Sequence, residues 1–139
     1  MSEALAGAMV VDMGGSVATT YCAKLFADYG ATVINLETAQ GFPTRQLRPF
    51  TKGASCDSAM HGYLNADKKS VRLDFLSDSA VAKILSCADL VLSDGRADLP
   101  EELRLRMDIS WYGESGPYAD FIGTDAQCFA LNGMLRTIG

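Results

Sequence analysis

The sequence predicts an open, doubly wound α/β fold, Rossmann-like, with a largely parallel sheet and helices on both faces. Three observations carry that expectation. Short apolar runs alternate with segments of helical periodicity, the first apolar run passes into a glycine turn that opens a helix, and strand and helix patterns are interleaved rather than segregated.

Met9 to Met13 is a short apolar run ahead of Gly14-Gly15-Ser16, a buried strand entering a tight turn. Val17, Tyr21, Cys22, Leu25, Phe26 and Tyr29 then recur at helical spacing, and Gly30 suits the cap that ends the helix. Thr32 to Glu37 reads as the second strand, which completes a right-handed βαβ unit. Residues 38–63 hold Gly41, Pro43, Pro49, Gly53 and Gly62 with little periodicity, so they read as a long loop, placed where a ligand would be covered. Ser70 to Phe75 alternates Val71, Leu73 and Phe75 with polar residues, a half-buried strand, and Ser77 caps a helix carrying Ala80, Val81, Ile84 and Leu85. Leu90 to Leu92 and Ile109 to Tyr112 are further strand candidates. Pro100-Glu101-Glu102 fits a helix first turn, and Thr124 caps a last helix through Leu135. The 139 residues, 48% hydrophobic, suffice for one domain with a real core, so residues 1–139 are read as a single domain.

The formal charge is −5 with the basic residues scattered, which excludes the electrostatic footprint of a nucleic-acid or anionic-membrane binder. No apolar run approaches a membrane span and the opening residues carry no basic leader, so a cytoplasmic location is expected. Cys22, Cys56, Cys87 and Cys128 are too widely spaced for a zinc or redox pair and read as small structural thiols. His61 has no recognisable partner in sequence and reads as a solvated loop histidine; no metal site is expected.

The Gly14-Gly15 turn can present backbone N–H groups to phosphate at a helix start. Glu37, at the end of the second strand, stands where dinucleotide enzymes place a ribose-binding acid. The turn reads Asp-Met-Gly-Gly-Ser rather than GxGxxG, however, so a plain structural turn competes with NAD or FAD binding on these residues.

Longer strings are more specific. Val10-Val11-Asp12 with Leu25-Phe26-Ala27-Asp28-Tyr29-Gly30-Ala31-Thr32-Val33-Ile34-Asn35-Leu36-Glu37, the segment Leu64 to Asp74, Ala88 to Leu92, Ile109 to Asp120 and Asp125 to Gly139 occur in one order and register. Together they resemble the class III CoA-transferases, the family of formyl-CoA transferase, carnitine CoA-transferase and α-methylacyl-CoA racemase, over its N-terminal portion.

The resemblance implies a domain that binds coenzyme A or acyl-CoA as substrate, with no covalently bound cofactor, in an enzyme moving CoA between carboxylic acids. It implies CoA-site roles for Val17, Thr38, Arg45, Lys68, Asp94 and Arg96 and a catalytic role for Asp125. Surface or capping roles compete for several of these: Lys68 as a solvated charge, Arg45 and Arg96 as surface groups, Asp125 as a helix first-turn carboxylate. Thr124 stands where racemases carry a histidine, which disfavours racemisation. The family's nucleophilic aspartate, which forms a mixed anhydride with the acyl group, falls beyond Gly139, so this chain alone is expected to be inactive. The implied partners are acyl-CoA, a carboxylic acid, and a dimer mate or second CoA-transferase chain. A dinucleotide-binding domain and a non-catalytic half of a split or tandem enzyme remain the alternatives.

Overall fold

The computed structural model of the chain describes residues 3–52, 57–95 and 99–138. They divide into two compact units, residues 1–108 and 109–139.

The first unit is built on a five-stranded, wholly parallel sheet: β1 (Met9–Asp12), β2 (Thr32–Glu37), β3 (Lys69–Arg72), β4 (Leu90–Ser93) and β5 (Arg106–Asp108), in the order β3-β2-β1-β4-β5. The strand order reverses between β1 and β4, the topological switch point at which open α/β sheets hold their ligands. Gly14 marks this point: a β carbon there would sit 2.6 Å from Thr19 Cγ2 and 3.0 Å from the Asp94 backbone nitrogen. Only a bare backbone lets β1 turn so close to the end of β4.

Helix α1 (Val17–Asp28) starts at Ser16, whose Oγ accepts the Thr19 N–H at 3.1 Å. It ends through Gly30, left-handed at φ 95°, a conformation that lets the chain leave the helix and enter β2 directly. Ala23, fully buried, packs with Phe26 and Cys22 on Val10, Val33, Leu90 and Leu92. Because strand side chains alternate, Val11, Val91 and Leu36 point to the opposite face. There they meet Leu85, Ile84 and Val81 of helix α3 (Asp78–Cys87), which Ser77 caps as the sequence suggested. The two helices thus cover opposite faces, as expected.

Several local expectations are corrected. Leu73 to Phe75 do not continue β3 but form a 3-10 turn, since Leu73 and Leu76 pack with Leu85 rather than extending along Glu37. No helix follows Pro100: residues 99–105 are irregular, and Leu99 is buried against the α3 layer. The strand expected at 109–112 lies earlier, since Arg106 to Asp108 take the pairing with Val91 to Ser93, and Ser110 Oγ then accepts the Gly113 N–H in a turn. The loop at 38–63 contains a 3-10 turn, Pro43–Gln46, and a short helix, α2 (Ala59–Leu64), which Ser58 caps.

In the second unit the last helix is two: α4 (Asp125–Leu131) and α5 (Met134–Ile138), broken at Gly133 with φ 80°. Tyr118 stacks obliquely between Tyr112 and Phe121, at centroid distances of 6.0 and 5.6 Å. Among the described cysteines Cys22 and Cys128 are half-buried, while Cys87, at the end of α3, is exposed rather than in the core. No helix of the described residues is long and apolar enough to cross a membrane.

Leu92 is fully buried at the centre of the α1 face. Leu92→Ala is expected to destabilise the chain by about 2–5 kcal/mol, read as a fall in the urea midpoint without a change in slope.

Candidate functional site

On the α1 face the sheet is apolar at Val10, Val33 and Leu90 and turns polar toward the strands' carboxyl ends, where Asp12, Asn35, Glu37 and Ser70 follow. Burying such groups is costly unless they are paired, so their partners define the site.

Glu37 is 1% exposed, and its two oxygens collect donors from three directions. Arg45 grips it in a fork, Nε at 2.7 Å on Oε2 and Nη2 at 2.6 Å on Oε1; Phe42 N–H donates to Oε2 at 2.8 Å and Ser70 Oγ to Oε1 at 2.5 Å. Burial alone would raise its pKa, but these donors outweigh it and hold Glu37 down at about 2. With both oxygens taken, Glu37 has no free acceptor for a ribose hydroxyl, which removes the main support for dinucleotide binding. Instead it anchors the segment from Thr38 to Leu47 to the end of β2. Phe42 completes the attachment, its ring lying so close over Gly15, at φ 66°, that a β carbon there would come within 2.6 Å. Covering segment and glycine turn are thus one assembly. Beside it a cleft of about 450 Å³ is lined by Glu37, Gln40, Gly41, Arg45, Ser70 and Arg72.

Asp12 shapes the turn from below. Its Oδ1 accepts the N–H groups of Gly14 at 3.0 Å and Gly15 at 3.4 Å. Burial raises its pKa against the lowering influence of Lys68 and these N–H groups. Among the described residues no well-formed hydrogen bond reaches its Oδ2, Thr20 Oγ1 or Asn35 Oδ1, although the Thr20 hydroxyl lies near enough to Asp12 to favour its charged form. The Lys68 ammonium is turned inward to the Thr20 carbonyl oxygen at 2.7 Å and Asn65 Oδ1 at 3.4 Å. Burial lowers its pKa to about 8, with Asp12 acting in the opposite sense. It therefore ties α1 to the segment before β3 instead of standing as a solvated charge.

His61 corrects the sequence reading most clearly. It is not a solvated loop residue but sits in α2, half-buried, with Nδ1 2.8 Å from Thr44 Oγ1 and 3.0 Å from Asn65 Nδ2. Burial, followed by Arg45, pushes its pKa down.

Val17 opens α1 and is exposed, beside the glycine turn. Thr38, also exposed, follows β2, and its carbonyl accepts the Gly41 N–H at 2.9 Å. Asp94, half-buried, follows β4. With Arg45 and Lys68, all of these lie around the carboxyl ends of β1, β2 and β4. Arg96 lies outside the described residues, as does Cys56. Asp125 is exposed in the second unit, in the first turn of α4, where Thr124 caps the helix by accepting the Gln127 N–H at 3.4 Å. The sequence pointed to Arg45 but missed its Glu37 partner, and it missed Asp12, Asn65 and Ser70 as site-forming residues. The alternation of Asn35 and Glu37 within a buried strand was the available signal, since polar residues on a core face need partners. No cluster of metal-ligating side chains occurs among the described residues.

A parallel sheet with this strand order, a glycine turn at its switch point and a polar mouth at the strand ends defines an open, Rossmann-like α/β domain. Residues 5–139 match the model of CoA-transferase family III, and the chain belongs to that family. Succinyl-CoA:(R)-benzylsuccinate CoA-transferase subunit BbsE of Thauera aromatica is 32% identical over 148 residues, covering 94% of this chain and 36% of the relative. (R)-2-Hydroxy-4-methylpentanoate CoA-transferase of Clostridioides difficile is 29% identical, over 96% of this chain and 38% of the relative. Human α-methylacyl-CoA racemase is 28% identical, over 98% of this chain and 36% of the relative. A crystal structure of a CAIB/BAIF family protein from Brucella suis superposes with a TM-score of 0.81 at 25% identity, covering 96% of this chain and 40% of that one. The chain therefore spans well under half the length of these relatives.

The Glu37 arrangement sets a pH dependence. Its folded pKa lies below the ordinary value of 4.5, so its contribution is present above pH 4.5 and is lost as pH falls toward about 2. Glu37→Gln should flatten the stability curve across that window, as measured by urea midpoints at successive pH values. Gly15→Ala should destabilise the chain at every pH, by about 1 kcal/mol or more from the left-handed backbone alone, with further loss from the Phe42 clash.

Proposed function

We propose that this chain supplies the CoA-binding portion of a family III acyl-CoA transferase, with the nucleotide end of CoA lying across the carboxyl ends of β1, β2 and β4. The observation that carries the reading is the anchored mouth: Glu37 fixes Phe42 over Gly15 and holds Arg45 beside a cleft of about 450 Å³. Val17, Thr38, Arg45, Lys68, Asp94 and Arg96 are assigned to this site. Arg45 would add its remaining N–H donors to a phosphate while held by Glu37. Lys68 acts from beneath, as a charge that fixes the start of α1.

In the proposed transfer a carboxylate oxygen attacks the thioester carbonyl carbon, the C–S bond breaks, CoA leaves as thiolate and a mixed anhydride remains. The thiolate then attacks the enzyme's own carbonyl and releases the donor acid, and the acceptor acid takes CoA from the resulting thioester by the same two steps in reverse. The attacking carboxylate is assigned to an aspartate outside this sequence, and Asp125 to an assisting role. The word subunit in the name of the Thauera relative favours a second reading, in which this chain completes a partner chain of the same family. Copurification with a longer CoA-transferase chain is the observation that separates the two.

Isothermal titration with coenzyme A should give measurable affinity that Arg45→Ala weakens about tenfold or more, the loss of a charge-assisted contact. Lys83→Ala, exposed on α3 across the sheet, should leave it unchanged. Mass spectrometry of the chain incubated with acyl-CoA donors and free acids should show no exchange. Exchange abolished by Asp125→Asn would instead make this chain a complete enzyme.

A further inference from the structure

A run of side-chain hydrogen bonds crosses beneath the covering segment. Thr44, within the turn that carries Arg45, is bonded to His61 Nδ1; Asn65 Nδ2 lies 3.0 Å from the same ring nitrogen; and Asn65 Oδ1 accepts from Asn35 Nδ2 at 2.6 Å and from Lys68 Nζ at 3.4 Å. Asn65 therefore links α2, β2 and the segment before β3 through one amide.

The orientation of that amide is fixed by partners whose roles cannot reverse. Its oxygen faces the Lys68 ammonium, which only donates, and its nitrogen lies 2.9 Å from the His61 carbonyl oxygen, which only accepts. His61 Nδ1 consequently faces an N–H group and must present its lone pair, which puts the ring proton on Nε2 and leaves the imidazole neutral. The Thr44 hydroxyl can rotate to follow either state of the ring. The Asn65 amide cannot.

We propose that Asn65 is the positioning residue of the covering segment: it locks the His61 imidazole as a neutral acceptor, and the locked ring holds Thr44, and with it Arg45, in place at the carboxyl ends of the strands. The function of this device rests on the reading that coenzyme A is held there. Protonation of Nδ1 sets N–H against N–H and breaks the contact between Asn65 and the ring, so the ring is fixed at neutral pH and freed in acid, while Glu37 keeps its hold on Arg45 and Phe42. The charged groups facing the ring are Arg45 from the covering segment, Lys68 after α2, Glu37 from β2 and Asp57 before α2. The two cations oppose protonation together with burial, and the two carboxylates favour it. The balance keeps the midpoint below the ordinary histidine value of 6.5. The sign follows: the lock contributes above that midpoint and is lost as pH falls through it.

His61 is the sole histidine, so its imidazole signals in NMR are assigned by composition. In the intact chain at pH 7.5 the ring nitrogen shifts should report the Nε2–H tautomer. On acidification, the Arg45 Nε–H signal, hydrogen-bonded to Glu37, should move with the His61 midpoint. Asn65→Asp places a carboxylate against Nδ1 and should raise that midpoint by about one unit or more, while coenzyme A affinity at pH 7.5 falls about tenfold. A wild-type ring protonated on Nδ1 at pH 7.5, or an Arg45 signal indifferent to the His61 titration, overturns the proposal, and both are read on the unsubstituted chain even if the variant does not fold. Wild-type chain that shows the expected signals but binds no coenzyme A refutes the ligand reading alone, because tautomer and titration need no ligand.

Discussion

The buried carboxylate of Glu37 is the constraint on which the mouth of this domain depends. A charge this deep is tolerated only with its lone pairs filled, and the structure fills them from Arg45, Phe42 and Ser70. Those donors come from the covering segment and from β3, so satisfying one side chain fixes the geometry of three pieces of chain. Removing Arg45 would leave the carboxylate short of its charged partner. The residue proposed to meet the ligand is thus also the one that holds its own support together.

A second polar layer lies deeper on the same face. Asp12 holds the Gly14-Gly15 turn through two N–H groups, while Lys68 reaches the Thr20 carbonyl of α1. Their titration is displaced in opposite directions from that of solvated groups, up for Asp12 and down for Lys68, because burial disfavours the charged form of each. Mutual attraction limits both displacements. The pair thereby joins the start of α1 to the segment before β3, with Asp12 fully buried and Lys68 half-buried, and Arg45 and Thr38 lie outside it.

The chain belongs to CoA-transferase family III and has its parallel α/β architecture, and it covers 36% of the Thauera relative and 40% of the Brucella structure. In the second unit Ile122, Leu131 and Leu135 are exposed, and Tyr118 lies between the rings of Tyr112 and Phe121. The first unit has two apolar layers and a polar network centred on Glu37.

Sequence by itself determined the βαβ unit, strands near residues 9–13, 32–37 and 90–92, the caps at Ser77 and Thr124, and the family, because each depends on local periodicity or on contiguous strings. Tertiary structure decided the rest. Whether Leu73 and Phe75 extended β3 depended on how far its neighbour β2 offered partners, and whether residues 106–108 or 109–112 formed the last strand depended on where β4 offered them. The site was legible only where a residue matched a family string, as at Arg45 and Lys68. That Glu37 would be filled by its own chain, that Lys68 would turn inward and that His61 would be locked by Asn65 were not legible. The contacts of Arg45 with Glu37, of Thr44 with His61 and of Lys68 with Thr20 join residues 8 to 48 positions apart, a span that leaves no periodic mark in the sequence, and the four-residue spacing of His61 and Asn65 has meaning only once that segment is known to be helical.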